Sequence, residues 1–191
     1  MTAPQDNAVI SLHRPDLREK FFFFTAGIVM SIPLTLLAEQ LSFSLVSVSF
    51  PVWYELLSIT IIAPFIEEFA KAYPMFYRHG ETERSFFTIG FLAGLGFGIS
   101  EFFLYVFVYS ASIWTRLPVL FFHATNTSIT AYGIATKKPV RFYLGAVTLH
   151  FLLNVNFFTQ LNPLWLNAIA FLTSYLVSLR LHDKTRERIV V

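Results

Sequence analysis

The feature that most constrains this 191-residue chain is a run of 38 residues, Phe142 to Leu179, without one Asp, Glu, Lys or Arg. A second uncharged run covers Phe21 to Ala38. A membrane-spanning helix needs about 20 consecutive apolar residues. The longer run therefore holds two helices, with a turn expected at Asn162-Pro163. Composition agrees: 55% of residues are hydrophobic, 23 are Phe and only 14% are charged, against about 25% charged in soluble domains. A body this small cannot bury so much apolar side chain, because surface-to-volume scaling leaves much of it exposed. A soluble domain and a disordered chain are both excluded. A net charge of +2, with no basic block interleaved with aromatics, argues against nucleic acid. The absence of Cys removes disulfides, thiolate metal ligands and Cys nucleophiles.

Hydropathy and helix breakers predict six spans, at about 21–39, 51–77, 85–110, 116–136, 141–159 and 163–181. The second is the least regular, with Pro51, Pro64, Pro74 and several charges. Twelve of the fourteen Lys and Arg then fall in alternate connections and both tails; Arg116 in the third loop and Lys71 inside a span are the others. That bias predicts both termini in the cytoplasm. The expected architecture is an all-α, multi-pass helical bundle in the cell membrane. It has a cytoplasmic segment at 1–20, a six-helix domain at 21–181 and a basic tail at 182–191. The first apolar run has the length of a full span and no small-x-small cleavage site after it, so it reads as a retained helix.

With the loop charges set aside, Glu67, Glu68, Lys71 and Glu101 remain inside spans, joined by His123, His150 and Asn154. A charge at a helix centre costs about 2.5–3.5 kcal/mol on insertion scales, so each one needs a reason. Glu67 and Lys71, at i and i+4, could form a structural ion pair, which explains one Glu of three. His123 and Thr127 share a helix face, with Asn126 and Thr130 beside them; His150 and Asn154, and Phe97 and Glu101, repeat the four-residue spacing. At 1.5 Å per residue, Glu67, His150 and His123 lie about 15, 14 and 20 Å from the cytoplasmic ends of their spans, and Glu101 about 25 Å. Four helices thus bring polar groups to one level, which predicts a shared cavity. Gly90, Gly94 and Gly98 form a stripe that permits close helix approach, with Glu101 on nearly the same face. Pro64 has no N–H for the Thr60 carbonyl and should bend the second span just before Glu67.

Adjacent carboxylates, a third carboxylate and two histidines in a desolvated site suit activation of water, with one Glu as base. A neutral His with an Asn could donate to a developing oxyanion. Glu67, Glu101, His123 and His150 could equally ligate zinc or another divalent ion. The helical zinc-protease signature HExxH is absent, and Ser100 and Ser128 lack a base arrangement.

These residues carry a family pattern. Glu67-Glu68-Phe69-Ala70-Lys71 reads as EExxK, Phe97 to Glu101 as FxxxE, and His150 to Asn154 as HxxxN, with His123 between them. In that order, across about residues 55–160, the chain resembles the PrsW family of intramembrane proteases, within the superfamily of CAAX prenyl endopeptidases and Abi proteins. The CAAX branch shows EExxxR and FxxxH, so Lys71 and Glu101 place this chain on the PrsW side. The resemblance implies that Glu67 activates the hydrolytic water beside Glu68, and that Glu101 stands where CAAX relatives hold this water with a His. It implies that His150 and Asn154 stabilise the oxyanion, that Lys71 orients a glutamate, and that His123 is the additional motif histidine with Thr127 at its partner position. It implies a membrane-anchored protein or peptide substrate, such as an anti-sigma factor, and either a metal-dependent or a glutamate-type mechanism. Two rival functions follow from the same residues: a non-catalytic scaffold or immunity module, which the superfamily also contains, and a proton-coupled transporter. The intact motif set disfavours the first and the lack of an internal repeat the second.

Overall fold

The computed structural model describes residues 14–49, 53–77, 82–155, 164–187 and 190. Helix α1 spans Leu17–Ser49. The second segment is α2 (Tyr54–Leu57), a π turn (Ser58–Ile62), α3 (Ala63–Ala72) and α4 (Pro74–Tyr77). Then come α5 (Glu83–Phe103), a second π turn (Leu104–Val108), α6 (Ile113–Ala135), α7 (Pro139–Asn154) and α8 (Leu164–Lys184). No strand occurs among the described residues. Helix thus occupies all six stretches where the charge pattern predicts it. Leu17–Ser42 and Glu83–Val108 are long and apolar enough to cross a membrane. The expected turn at Asn162-Pro163 lies outside the described residues. Large apolar side chains face outward on most helices, among them Phe21, Val29, Leu36, Phe107, Phe121 and Leu172.

Helix α6 is the centre of the bundle, packed against α5, α7 and α8, while α1 lies on α5. All but three of its residues from Leu120 to Ala135 are buried. A helix buried all round must satisfy its polar groups on every side, and α6 distributes them. Thr125 Oγ1 meets Ser174 Oγ at 2.8 Å and Ser128 Oγ meets Ser178 Oγ at 2.7 Å, tying α6 to α8. Asn126 Nδ2 donates to the Ala146 carbonyl of α7 at 2.9 Å. Helical spacing places Asn126, Thr127 and Thr130 on one stripe facing a shared cavity; in the structure the Asn126 amide instead bonds α7, and the buried hydroxyls of Thr127 and Thr130 have no hydrogen-bond partner. A 3.6-residue period gives a face, but it cannot tell how many neighbours surround a central helix.

Glycine sets the closest helix approaches. A Cβ on Gly94 would lie 2.3 Å from the His123 carbonyl oxygen, one on Gly98 2.5 Å from that of Leu120, and one on Gly90 2.3 Å from the Ala131 Cβ. The stripe therefore holds α5 directly against α6 around His123. A second crossing, not singled out from the sequence, uses Gly27 and Gly96. There an added Cβ would lie 2.0 Å from the carbonyl oxygens of Ala93 and Phe24, respectively, which seats α1 on α5.

Proline is accommodated by a change of helical register. Ahead of Pro64, the Ala63 N–H bonds the Ser58 carbonyl, five residues back. The expected bend before Glu67 is thus taken up by a π turn. At one end of the bundle Phe23, Met75, Phe86 and Ala135 form a cluster against which Val190 packs. The chain beyond α8 is tied down there: Arg186 N donates to Glu83 Oε2 at 3.0 Å, and Thr82 Oγ1 to Glu187 Oε2 at 3.1 Å.

Substituting Gly94 by Ala should force backbone apart and destabilise the protein by about 1–3 kcal/mol, the usual cost of overpacking. Gly145→Ala, where a Cβ would meet nothing within 4 Å, should be neutral or stabilising through helix propensity. Thermal unfolding of both variants in detergent checks the pair, and an unchanged Tm for Gly94→Ala would contradict the close contact.

Candidate active site

Four helices deliver the polar residues that the sequence marks out. Helix α3 carries Glu67, Glu68 and Lys71, α5 carries Glu101, α6 carries His123, and α7 carries His150 and Asn154. Glu68 and Lys71 are wholly buried and paired at 2.5 Å. This corrects the i, i+4 pair with Glu67: the ammonium bonds the neighbouring carboxylate, at i, i+3 spacing. Lys71 Nζ also lies 3.0 Å from His123 Nδ1 and 4.7 Å from the centre of the Phe97 ring. Phe97 thereby serves the centre twice, since its ring also packs on His123 at 5.1 Å. Desolvated cations gain from an aromatic face, which gives the Phe of the FxxxE motif a physical purpose.

Charge and hydrogen bonding set the proton positions on both imidazoles. A lysine ammonium only donates, so His123 Nδ1 accepts from Lys71. The ring proton of neutral His123 then sits on Nε2, which donates to Glu101 Oε2. On the other branch, Glu68 Oε1 lies 2.8 Å from His150 Nδ1. An ionised carboxylate only accepts, so Nδ1 carries the His150 proton and Nε2 presents a lone pair. That lone pair faces Glu67 Oε2 at 3.7 Å, beyond hydrogen-bond reach. Glu67 is buried, and its Oε2 receives no hydrogen bond. The centre is thus a chain of donors and acceptors that ends in two facing acceptors, Glu67 Oε2 and His150 Nε2, while the second oxygen of Glu68, Oε2, is also without a hydrogen bond. Such a gap calls for a donor or a cation.

A divalent ion fits part of this set. One ligand atom each from Glu67, His123 and His150 lies within 4.8 Å of the others. Glu67 Oε2 and His150 Nε2 are free to bind, and Glu68 on His150 Nδ1 is the kind of carboxylate that orients metal-binding imidazoles. Both nitrogens of His123 are occupied, by Lys71 and Glu101. A third ligand would require His123 to give up one of those bonds.

The residues beside the cluster divide into two groups. Asn154 lines the adjoining cavity, and its Nδ2 donates to the Ile59 carbonyl of the first π turn at 3.0 Å. Thr127 is not brought into the cluster: it packs against Gly94, and its buried hydroxyl has no hydrogen-bond partner. The cavity, of about 350 Å³, is lined by Glu101, His123, His150 and Asn154, together with Arg116 and Asn167. Glu67 reaches the cluster from α3, with Oε2 3.7 Å from His150 Nε2.

Arg116 is the residue that loop assignment missed. It lies 3.8 Å from Glu101 Oε1 and stacks 3.4 Å over the Tyr105 ring. Counted only as a loop charge, it in fact precedes His123 by two helical turns on α6, a spacing that shares one face. That spacing was the available signal. Replacing Lys71 with Met should leave Glu68 uncompensated and destabilise the protein by about 3–5 kcal/mol. Pairing it with Glu68→Gln should restore a large part of that loss, as denaturant or thermal unfolding would show.

No curated protein and no solved structure matches the chain. A family model described as PrsW family intramembrane metalloprotease matches residues 17–180. The match covers the four motif-bearing helices and nearly all of the bundle, and the EExxK, FxxxE and HxxxN residues converge at one buried centre, so the chain belongs to the PrsW family of intramembrane metalloproteases.

Proposed function

We propose that the chain is a multi-pass endopeptidase of the cell membrane. On this reading it crosses the bilayer about six times with both termini in the cytoplasm, and it hydrolyses peptide bonds of membrane-anchored substrates at the Glu67–His150 gap. The observation that carries the proposal is the pair of facing acceptors, Glu67 Oε2 and His150 Nε2, neither receiving a proton from the protein. Water is the smallest molecule that can donate to both. The topology is supported by the crowding of Arg14, Glu187 and the α5 start at one end of the bundle, and by Arg116 standing apart beside Glu101.

In the reaction, water held between Glu67 and His150 gives a proton to Glu67 as its oxygen attacks the scissile carbonyl. The C–N bond then breaks, and the proton passes to the leaving amine. Glu68 holds the His150 ring through Nδ1, so the lone pair stays directed at the water. Lys71 holds Glu68 in turn and, with Glu101, fixes His123. Glu67 and His150, with His123 or Glu101 released from their present bonds, are the residues that would hold a divalent ion. Such an ion, when bound, polarises water and the substrate carbonyl as a Lewis acid. The mixed polar and apolar cavity walls suit an unwound stretch of a substrate helix, whose freed peptide groups need partners at that depth.

Glu67→Gln should reduce cleavage of a single-span reporter in proteoliposomes by about 10²–10⁴-fold, the usual contribution of a general base, with Tm unchanged. Retained activity would reject Glu67 as the base. Metal analysis of the purified protein, before and after exhaustive chelation, separates the two mechanisms. The metal-dependent form predicts bound metal that Glu67→Gln and His150→Ala both lose, and activity that returns with added zinc or manganese. Cleavage by metal-free protein would establish the glutamate-type form.

A further inference from the structure

The resemblance assigns Asn154 to the oxyanion, but its amide is already engaged elsewhere. Its Nδ2 donates to the Ile59 carbonyl at 3.0 Å, and the reason that carbonyl needs a donor lies in the sequence of the π turn. Between Ser58 and Ile62 the backbone bonds in the i→i+5 register, with Ala63 N–H reaching the Ser58 carbonyl. The next bond in that register would run from residue 64 to Ile59. Residue 64 is proline and has no N–H. The Ile59 carbonyl is therefore orphaned within its own helix, and an unpaired backbone acceptor is disfavoured wherever water cannot serve it.

We propose that Asn154 is a positioning residue that supplies the hydrogen bond Pro64 cannot make. By holding the π turn against α7, it fixes the register in which Glu67 and Glu68 emerge three and four residues after Pro64. A second clamp from the same helix supports this: Tyr143 Oη donates to the Phe65 carbonyl at 2.6 Å. The two side chains bracket Pro64, one bonding the carbonyl five residues before it and the other the carbonyl just after it. Helix α7 also delivers His150 to Glu68, so both sides of the Glu67–His150 gap are set by one helix pair. The HxxxN spacing then has a physical meaning: one face of α7 carries an imidazole for the carboxylates and, one turn on, an amide for the backbone that presents them.

The importance of Glu67 here rests on the proposed function, but the coupling of Asn154 to Pro64 does not, and a double-mutant cycle tests it without substrate. Asn154→Leu should lower the Tm of the purified protein by about 2–6 °C, the scale of one lost hydrogen bond in a chain this size. In a Pro64→Ala background a backbone N–H can serve the Ile59 carbonyl, and the same substitution should cost less than half as much. Equal losses in both backgrounds would overturn the proposal. If Asn154→Leu yields no folded protein, recovery of folded protein in the Pro64→Ala background is the supporting result, and failure to recover it the opposing one. Asn154→Ser, a milder change, adds a local readout. Faster amide hydrogen exchange over residues 56–66, with residues 120–130 unchanged, supports the clamp, and unaltered exchange over 56–66 refutes it.

Cleavage of the single-span reporter then separates positioning from oxyanion donation. A positioning residue predicts that Pro64→Ala restores at least tenfold of the activity that Asn154→Leu removes. An oxyanion donor predicts a loss of about 10²–10³-fold in both backgrounds. Should the wild-type protein cleave no reporter, the proposed function fails while the stability cycle still decides the role of Asn154.

Discussion

The buried ammonium of Lys71 is the group on which the rest of the centre depends. It is the cation paired with Glu68, and by donating to Glu68 and to His123 it fixes both a charge and a tautomer. From that one donor the pattern propagates in two directions. Through Glu68 it directs the His150 proton to Nδ1 and leaves Nε2 as an acceptor beside Glu67. Through His123 it sends the ring proton to Glu101, which also meets Arg116. Buried charges are tolerated only when paired and hydrogen-bonded, and here every member but Glu67 has such a partner. Glu67 receives no hydrogen bond on Oε2, which faces His150 Nε2 at 3.7 Å.

Such a network needs helices held closer, and at more particular angles, than apolar packing against lipid would give. The bundle obtains this with small residues and irregular backbone. The Gly90–Gly94–Gly98 stripe brings α5 onto α6 at the level of His123. The Gly27 and Gly96 crossing then seats α1 behind α5. Two π turns flank the carboxylates of the cluster, one before Glu67 and one just after Glu101. Each inserts a register change next to a carboxylate, and a register change re-aims the side chains that follow. The turn at Ser58–Ile62 leaves a backbone acceptor exposed by Pro64, and α7 answers it with Asn154. Local irregularity and the placement of chemistry are thus one feature of the fold.

A large part of the architecture was legible in the sequence because charge is so rare in it. Uncharged runs marked the helices, and the observed elements lie close to the expected boundaries, although α1 reaches Ser49 rather than ending near 39. The residues of the centre were legible for the same reason: Glu67, Glu68, Lys71, Glu101, His123, His150 and Asn154 stood out against an apolar background, and all lie in or beside one cluster. Thr127 stood out on helical spacing and on its place beside the motif histidine, and it packs against Gly94 with its hydroxyl unbonded. Arg116 was hidden because a cation near a helix end has an ordinary topological explanation. Gly27 was invisible because its partner, Gly96, lies 69 residues away and no local pattern links them.

The sequence alone marks an all-helical membrane protein with a small set of ionisable groups within apolar helices, since hydropathy and charge are properties of residues one at a time. Only the tertiary structure decided which carboxylate Lys71 takes, where each imidazole keeps its proton, and which backbone carbonyl Asn154 serves. Those outcomes depend on distances of about 3 Å between atoms on different helices. A residue's spacing along its own helix constrains its face but not the partner that another helix brings to it. The difference between Glu67 and Glu68, adjacent and chemically identical in the sequence, arises in this way: Lys71 and His150 both bond Glu68 Oε1, while Glu67 Oε2 faces His150 Nε2 with no donor between them.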